Sequence, residues 1–211
     1  WHRRTTRHAR TAQIQLQFPA CNGPTGQGWQ RFVGAQGDQR AFSIRLTADG
    51  GIIAAGSSND TAGMQTNWYC LKADSAGSLM AEYRWGAADS SEYAVSILSA
   101  GAEITLLGNV DYPVIDSNGI SQKTGIIWNR IDSQGNVTGA GQDAQEFSLA
   151  SEGIPFENGY LILGTSYVES SDFYYPLPYG FYLDSGNTVV WTKIFPGTLS
   201  GEALDAVQDD D

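Results

Sequence analysis

The sequence predicts an all-β fold, a β-propeller of four-stranded antiparallel blades, from a weak internal repeat, a series of β-rich runs and recurrent turn signals. The repeat is visible in three segments: LTADGGIIAAGS (46–57), ILSAGAEITLLGN (97–109) and IPFENGYLILGTS (154–166). Each has a turn of small or acidic residues, an apolar run and then a glycine. These glycines, Gly56, Gly108 and Gly164, are 52 and 56 residues apart. A fixed period in this range, filled with strand-like segments, is typical of a repeat architecture.

Each repeat unit contains four short β-rich runs, which is the strand count of a propeller blade. The runs are 41–47, 51–57, 67–73 and 78–85 in the first unit, 93–97, 103–109, 124–131 and 136–141 in the second, and 146–150, 160–166, 179–184 and 188–195 in the third. The second run of each unit is apolar at successive positions (IIAA, ITLL, YLIL). Such runs favour a sheet that is covered on both faces, as a blade is by its neighbours.

A turn signal follows the third strand of each unit. The three segments are Asp74–Gly77, Asp132–Gly135 and Asp184–Gly186. An Asx turn followed by a glycine at positive φ closes a hairpin at little steric cost, so these segments predict hairpins between the third and fourth strands. The connections between second and third strands, at 58–66, 110–123 and 167–178, are predicted to be the longest loops.

The repeat register divides the chain into a tail and one domain. Residues 1–12 are predicted to be a basic, disordered tail, and residues 13–211 a β-propeller repeat domain. The predicted blades are 13–34 (the end of one), 35–85, 86–141 and 142–195 (three whole blades), and 196–211 (the start of the next). Because propellers close with four to eight blades, three whole blades with incomplete neighbours predict that this chain is part of a longer protein.

Charge is distributed unevenly and bears on the class of partner. Four arginines lie in the segment Arg3–Arg10 and the first acidic residue is Asp38, so residues 11–211 carry a net charge of −15. Such a body repels phosphate backbones, which argues against nucleic acid as a partner. No segment approaches the roughly 18 consecutive apolar residues of a membrane span. Cys21 and Cys70 show no metal-ligand spacing, which leaves two alternatives, free thiols or a single disulfide.

Candidates for catalysis and for metal binding are few. Both histidines, His2 and His8, lie in the tail, so the body lacks the Ser-His and Cys-His nucleophile arrangements and the usual zinc ligand sets. The segment Asp116–Gly119 has oxygen ligands at alternating positions, but no glutamate follows at the spacing of a calcium loop. The acidic run Asp209–Asp211 is a second candidate for calcium. We therefore assign no catalytic residue, no metal ligand and no cofactor, with calcium as the one alternative.

The candidate binding residues are the aromatic side chains of the third long connection. Tyr167, Tyr174, Tyr175 and Tyr179 lie in or beside residues 167–178, with prolines nearby. Aromatic loop residues are common in surfaces that recognise proteins or carbohydrates. They predict a protein or a glycan as the ligand.

The repeat resembles the bacterial β-propeller repeats of secreted and cell-surface proteins, the SBBP-type repeat, over about the whole of residues 13–211. The resemblance is carried by LTADGGIIAAGS, NWYCLKADSAG, GIIWNRIDSQGNV and WGAADSSEYAVSI. It implies a propeller fold and an extracytoplasmic location, that is, secreted, periplasmic or at the cell surface. It implies no particular activity, because this repeat serves as a scaffold in many proteins.

We therefore expect a non-catalytic recognition or scaffold module of a secreted or surface protein. The alternative is a fragment of a propeller enzyme, since YLDSGNTVVW (182–191) partly resembles the Asp-box of sialidase-like propellers and the tryptophan-docking motif of quinoprotein propellers. Both motifs are structural turns in their own families, so Asp184 is not predicted to be catalytic. A sialidase-like glycoside hydrolase also needs clustered arginines, a tyrosine nucleophile and an acid/base carboxylate. The five arginines of the body show no such clustering.

Overall fold

A computed structural model describes residues 14–18, 29–33, 38–59, 65–116, 119–170, 173–196 and 201–203. The strands in this part of the chain are β1 (Ile14–Phe18), β2 (Trp29–Val33), β3 (Gln39–Leu46), β4 (Ile52–Asn59), β5 (Thr66–Ala73), β6 (Leu79–Trp85), β7 (Ser91–Ala100), β8 (Ile104–Asp116), β9 (Gly119–Ile131), β10 (Val137–Gln142), β11 (Ser148–Phe156), β12 (Gly159–Ser170), β13 (Phe173–Leu183) and β14 (Val189–Ile194). The described residues form strands, turns and bends. The prediction of an all-β fold is therefore confirmed.

The strands form three four-stranded antiparallel sheets and one hairpin. Sheet I has the order β3-β4-β5-β6, sheet II the order β7-β8-β9-β10 and sheet III the order β11-β12-β13-β14. Strands β1 and β2 pair antiparallel with each other. Every sheet is a simple meander, because short turns join strands that are consecutive in the chain. The predicted unit of four antiparallel strands is confirmed.

The sheets pack face to face like blades and share two apolar cores. The core between sheets I and II is made of Ile53, Ala55, Trp68, Cys70, Ala94, Ile97, Ile104, Leu106 and Ile131. The core between sheets II and III is made of Leu98, Leu107, Ile126, Trp128, Ala150, Ile162, Tyr179, Phe181 and Leu183. On the other face of sheet I, Val33 of β2 packs with Ile52 and Tyr69. Because β4 is covered on both faces, every residue from Ile52 to Ser58 is buried, which explains its continuous apolar run.

The repeated glycine of each unit is required by a close approach of the backbone. Gly56, Gly108 and Gly164 lie opposite alanines of the neighbouring first strand: Ala41, Ala94 and Ala150. A β-bulge follows each pair, between Ala41/Ser43, Ala94/Ser96 and Ala150/Glu152. A methyl group on each glycine would overlap the carbonyl oxygen of the residue before the alanine: Arg40, Tyr93 or Leu149. The repeat in the sequence thus arises from a bulge that recurs at the same place in all three sheets.

Two of the predicted long loops are strands instead. Residues 110–116 belong to β8 and 119–123 to β9, with Tyr112 opposite Lys123. Residues 167–170 belong to β12 and 173–178 to β13, with Tyr167 opposite Pro176. Prolines in the second hairpin suggested a loop. They are tolerated because β14 ends at Ile194, so this part of β13 is an edge strand. The connection from Asn59 to Thr66 joins β4 and β5, and residues 60–64 lie outside the described part of the chain.

The three aspartate turns share one geometry, with one difference from the prediction. The Asp74 carboxylate accepts hydrogen bonds from the N–H groups of Ala76 (2.9 Å) and Ser78 (2.8 Å). The residue three positions after each aspartate has a positive φ, namely Gly77 (78°), Gly135 (86°) and Asn187 (62°). The expectation that Gly186 holds this conformation in the third turn is wrong. Asparagine tolerates the left-handed region, so Asn187 takes the positive φ in the third turn. Gly186 occupies the position before it, where φ is not positive.

Candidate functional site

A concave feature of the described residues runs along the first strands of the three sheets. Strand β3 contacts β7, and β7 contacts β11. Two neighbouring cavities, of about 280 and 390 Å³, open along these strands, and Phe42 and Tyr93 line both of them. We call this feature the inner-strand groove.

The recurrent bulges direct side chains into this groove. Phe42, Val95 and Ser151 are the extra residues of the three bulges, and all three line the larger cavity. A bulge interrupts the strict alternation of a strand and re-aims one side chain. The bulges that lie beside the repeated glycines therefore each place one side chain at the groove, one from each sheet.

Aromatic rings form the middle of the groove. The ring centroids of Phe42 and Tyr93 are 6.2 Å apart and the rings are inclined at 57°. Phe42 is 52% exposed, an unusual exposure for a phenylalanine in a paired strand. Burial is the main cause that raises the pKa of the Tyr93 phenol above its usual range. Tyr167 of β12 lines the larger cavity beside these rings, so two phenols and one phenyl ring offer both apolar faces and hydroxyl groups.

The polar side chains differ between the two ends of the groove. Asp38 and Arg40 line the smaller cavity, and Glu152 and Glu202 line the larger one. The Glu152 carboxylate accepts a hydrogen bond from Ser96 Oγ at 2.7 Å, which fixes it between sheets II and III.

The backbone on either side of Glu202 is held against sheet III. The N–H of Gly201 donates to the carbonyl of Pro176 at 2.9 Å, and the N–H of Ala203 donates to the carbonyl of Gly164 at 3.3 Å. These bonds hold Glu202 where it lines the larger cavity.

The four tyrosines predicted to bind a ligand occupy three different environments. Tyr167 is half-buried in the inner-strand groove. Tyr174 and Tyr175 are 50% and 47% exposed on the β12–β13 hairpin. Tyr179 is 1% exposed, because its position on β13 directs the ring into the core between sheets II and III. Tyr179 is therefore buried in the core, whereas Tyr174 and Tyr175 are successive residues of one strand, so their side chains point to opposite faces of the hairpin.

Tyr179 has a structural partner in this core. Its hydroxyl donates to Asp143 Oδ2 at 2.5 Å, and Asp143 is itself 4% exposed. Burial is the main cause that raises the pKa of both groups, although the hydrogen bond from Tyr179 partly offsets this for the carboxyl. The pair ties the segment between sheets II and III to β13.

A second aromatic group lies at the base of the β12–β13 hairpin. Phe147 has a φ of 55°, in the left-handed region that is costly for a bulky residue. Its carbonyl accepts the N–H of Tyr167 at 2.8 Å, its ring centroid is 5.2 Å from that of Tyr174, and the Lys123 ammonium is 5.7 Å from the ring. These contacts with the β8–β9 and β12–β13 hairpins hold Phe147 in this conformation.

The remaining candidates from the sequence are the cysteines, the basic tail and the acidic segments. Cys70 is a free, fully buried thiol, and burial raises its pKa to about 12. Cys21, the tail 1–12, the acidic run Asp209–Asp211 and the centre of Asp116–Gly119 lie outside the described residues. Within the described ranges, no three His, Cys, Asp or Glu side chains are placed to hold a metal ion.

Hydropathy gives one further finding. In the part of the chain that the structure describes, no helix is long and apolar enough to cross a membrane.

No family model and no curated protein matches this chain.

Proposed function

We propose that this chain is a non-catalytic recognition module of a secreted or surface protein, of the SBBP-type propeller class, and that the inner-strand groove holds its ligand, a protein or a glycan. The observation that carries the proposal is the pair of cavities that share Phe42 and Tyr93. Ligand sites are typically concave, largely apolar or aromatic, and supplied with a few convergent polar groups. The groove is concave and brings three aromatic rings together with convergent polar side chains.

The location of the groove also supports recognition. Its bulge residues lie on β3, β7 and β11, which are paired strands rather than free loops. Ala94 and Ile97 of β7 belong to the core between sheets I and II, and Ala150 of β11 belongs to the core between sheets II and III. Between sheets I and II, Ser43 Oγ accepts the N–H of Ile97 at 3.1 Å, directly beneath the bulges. A site on rigid elements loses little conformational entropy when a ligand binds.

Direct binding tests the proposal. The wild-type protein is applied to a printed glycan array and to an array of synthetic peptides, together with Phe42→Ala and a matched control, Ile44→Ala. Phe42 and Ile44 lie on the same face of β3 with 52% and 45% exposure, but only Phe42 lines the groove. We expect at least one class of probe to bind the wild type and the control and to lose about tenfold or more of its affinity for Phe42→Ala, the loss typical of an aromatic contact. Equal losses in the two variants, or no bound probe, would contradict the proposal.

A further inference from the structure

The larger cavity of the inner-strand groove combines three aromatic rings with two carboxylates. Phe42, Tyr93 and Tyr167 supply the rings, and Glu152 and Glu202 supply the charge. Among the described residues that line this cavity there is no lysine or arginine. The cavity therefore has the electrostatic character of a site for a cation.

Aromatic faces and carboxylates attract a cation by complementary means. A ring attracts an ammonium or guanidinium group through its quadrupole, and the attraction is stronger where water is excluded. A carboxylate accepts several hydrogen bonds. The bond from Ser96 Oγ therefore orients Glu152 without exhausting its capacity to accept others. Glu202 lines the same cavity.

The charge of the whole chain favours the same class of ligand. The net charge is −11 for the full sequence. A negative field over the surface raises the rate at which cationic ligands associate and disfavours anions.

We propose, on the basis of the recognition function above, that the ligand is a basic segment of a partner protein, which inserts a lysine or arginine side chain into the cavity bounded by Phe42, Tyr93, Tyr167, Glu152 and Glu202. A protein segment fits better than an amine-bearing sugar because the groove continues past Phe42 into the cavity of Asp38 and Arg40. That second cavity offers both signs of charge for neighbouring residues of an extended peptide. A single amino sugar would leave it empty.

The experiment uses synthetic nonapeptide arrays in which the central residue is fixed as lysine, Nε-acetyl-lysine or norleucine and the other positions are randomised. We expect the lysine set to bind and the two uncharged sets to bind at least about tenfold more weakly, since they lose both the cation–π and the charge contributions. Binding of the lysine set should weaken as sodium chloride is raised from about 0.05 to about 0.5 M. Glucosamine oligomers, spotted beside the peptides, represent the amine-bearing glycans.

Charge-neutral variants separate a specific pocket from general attraction to an acidic protein. We expect Glu202→Gln and Glu152→Gln each to weaken the lysine peptides by about threefold to fivefold, the value of a partly exposed charge pair. Gln at position 152 can still accept the Ser96 hydroxyl. Glu103→Gln removes the same charge at an exposed site that does not line the groove, and it should leave binding unchanged.

The results distinguish this inference from the recognition function itself. Equal binding of lysine and acetyl-lysine peptides, preference for glucosamine oligomers, or an equal effect of Glu103→Gln and Glu202→Gln would overturn the basic-segment proposal. A Phe42-dependent but uncharged probe would overturn it and leave the recognition function standing. If no probe binds in a Phe42-dependent way, both proposals fail.

Discussion

The side chain of Asn109 on β8 forms two hydrogen bonds with the backbone of Ala150 on β11. Its Nδ2 donates to the Ala150 carbonyl at 3.0 Å, and its Oδ1 accepts the Ala150 N–H at 2.7 Å. The carboxamide thus takes the place of a backbone bridge between sheets II and III. Both residues are buried, at 2% and 5% exposure, and both line the larger cavity of the inner-strand groove.

Replacement of this carboxamide should be costly. In Asn109→Ala, the N–H and carbonyl of Ala150 lose a partner at a site that water reaches poorly, so we expect the free energy of unfolding to fall by about 2–4 kcal/mol. Urea denaturation measures it. The control is Asn129→Ala on β9, a half-buried asparagine, for which we expect less than about 1 kcal/mol. Equal losses would mean that the bridge is not a specific link between the sheets.

The repeated glycines provide a second test of the bulge geometry. Gly164→Ala forces a methyl group onto the carbonyl oxygen of Leu149, a backbone atom that cannot turn aside. We expect a loss of about 1–3 kcal/mol in the free energy of unfolding, as for other overpacked interiors. Gly101→Ala is the matched control, because a methyl group there meets only the Glu103 carbonyl at 4.0 Å. Retention of full stability by Gly164→Ala would show that the close approach is not required.

The burial of Tyr179 predicts that its hydroxyl contributes to stability, whereas that of the exposed Tyr174 does not. Tyr179→Phe removes the hydroxyl donor of a buried carboxylate, so we expect the free energy of unfolding to fall by about 1.5–3 kcal/mol. Tyr174→Phe, on the exposed hairpin, should leave it unchanged within about 0.5 kcal/mol. Thermal and urea unfolding measure both. A ligand-binding role for Tyr179 without a structural one would give the opposite result, unchanged stability with lost binding.

Stability should fall in alkali because buried acids stay protonated in the folded chain. Burial and the nearby Glu82 carboxylate raise the pKa of Tyr69 to about 12, against about 10 in the unfolded chain. Below pH 10 both states hold the proton, so the contribution is fully present. Between about pH 10 and 12 only the unfolded chain releases it, so stability falls as the pH rises, by about 2–3 kcal/mol from this group.

Tyr69→Phe isolates this contribution. Among the described residues, the Tyr69 hydroxyl has no hydrogen-bond partner at good geometry, so its removal should change stability little at pH 7. We expect the free energy of unfolding to decline less steeply above pH 10 in Tyr69→Phe than in the wild type, as measured by urea titrations at several pH values. Tyr175→Phe, which changes an exposed ring, should retain the wild-type slope. An unchanged slope in Tyr69→Phe would contradict the assignment.

Much of the fold was accessible from local sequence patterns. The continuous apolar runs predicted β4, β8 and β12, because a strand covered on both faces has no polar face to alternate with. The aspartate turns also predicted the hairpins that they close, since one carboxylate can accept hydrogen bonds from two backbone N–H groups within five residues. Asn187 was missed because the glycine before it is the commoner carrier of positive φ.

The candidate site was less accessible, because it depends on register between strands. Phe42 and Tyr93 read as ordinary strand residues, and only the bulges place them at a common groove. One signal was present, since Phe42, Ile44 and Leu46 alternate as an apolar stripe on a strand whose other face is also partly buried. Tyr179 was correctly predicted to begin a strand, but its place beside a proline-containing connection suggested an accessible ring, whereas pairing with both β12 and β14 leaves the ring in the core between sheets II and III.

A chemical-shift map of the bound state tests whether the ligand occupies the inner-strand groove. The ¹⁵N-labelled protein is titrated with the tightest-binding array peptide, and backbone amide shifts are followed for every assigned residue. If a ligand binds in the inner-strand groove, we expect the largest changes at Phe42, Tyr93, Ser151 and Glu202, on the first strands of the three sheets and the segment beside them. Changes centred on the outer strands β6, β10 and β14, or on the β12–β13 hairpin tip, would contradict it.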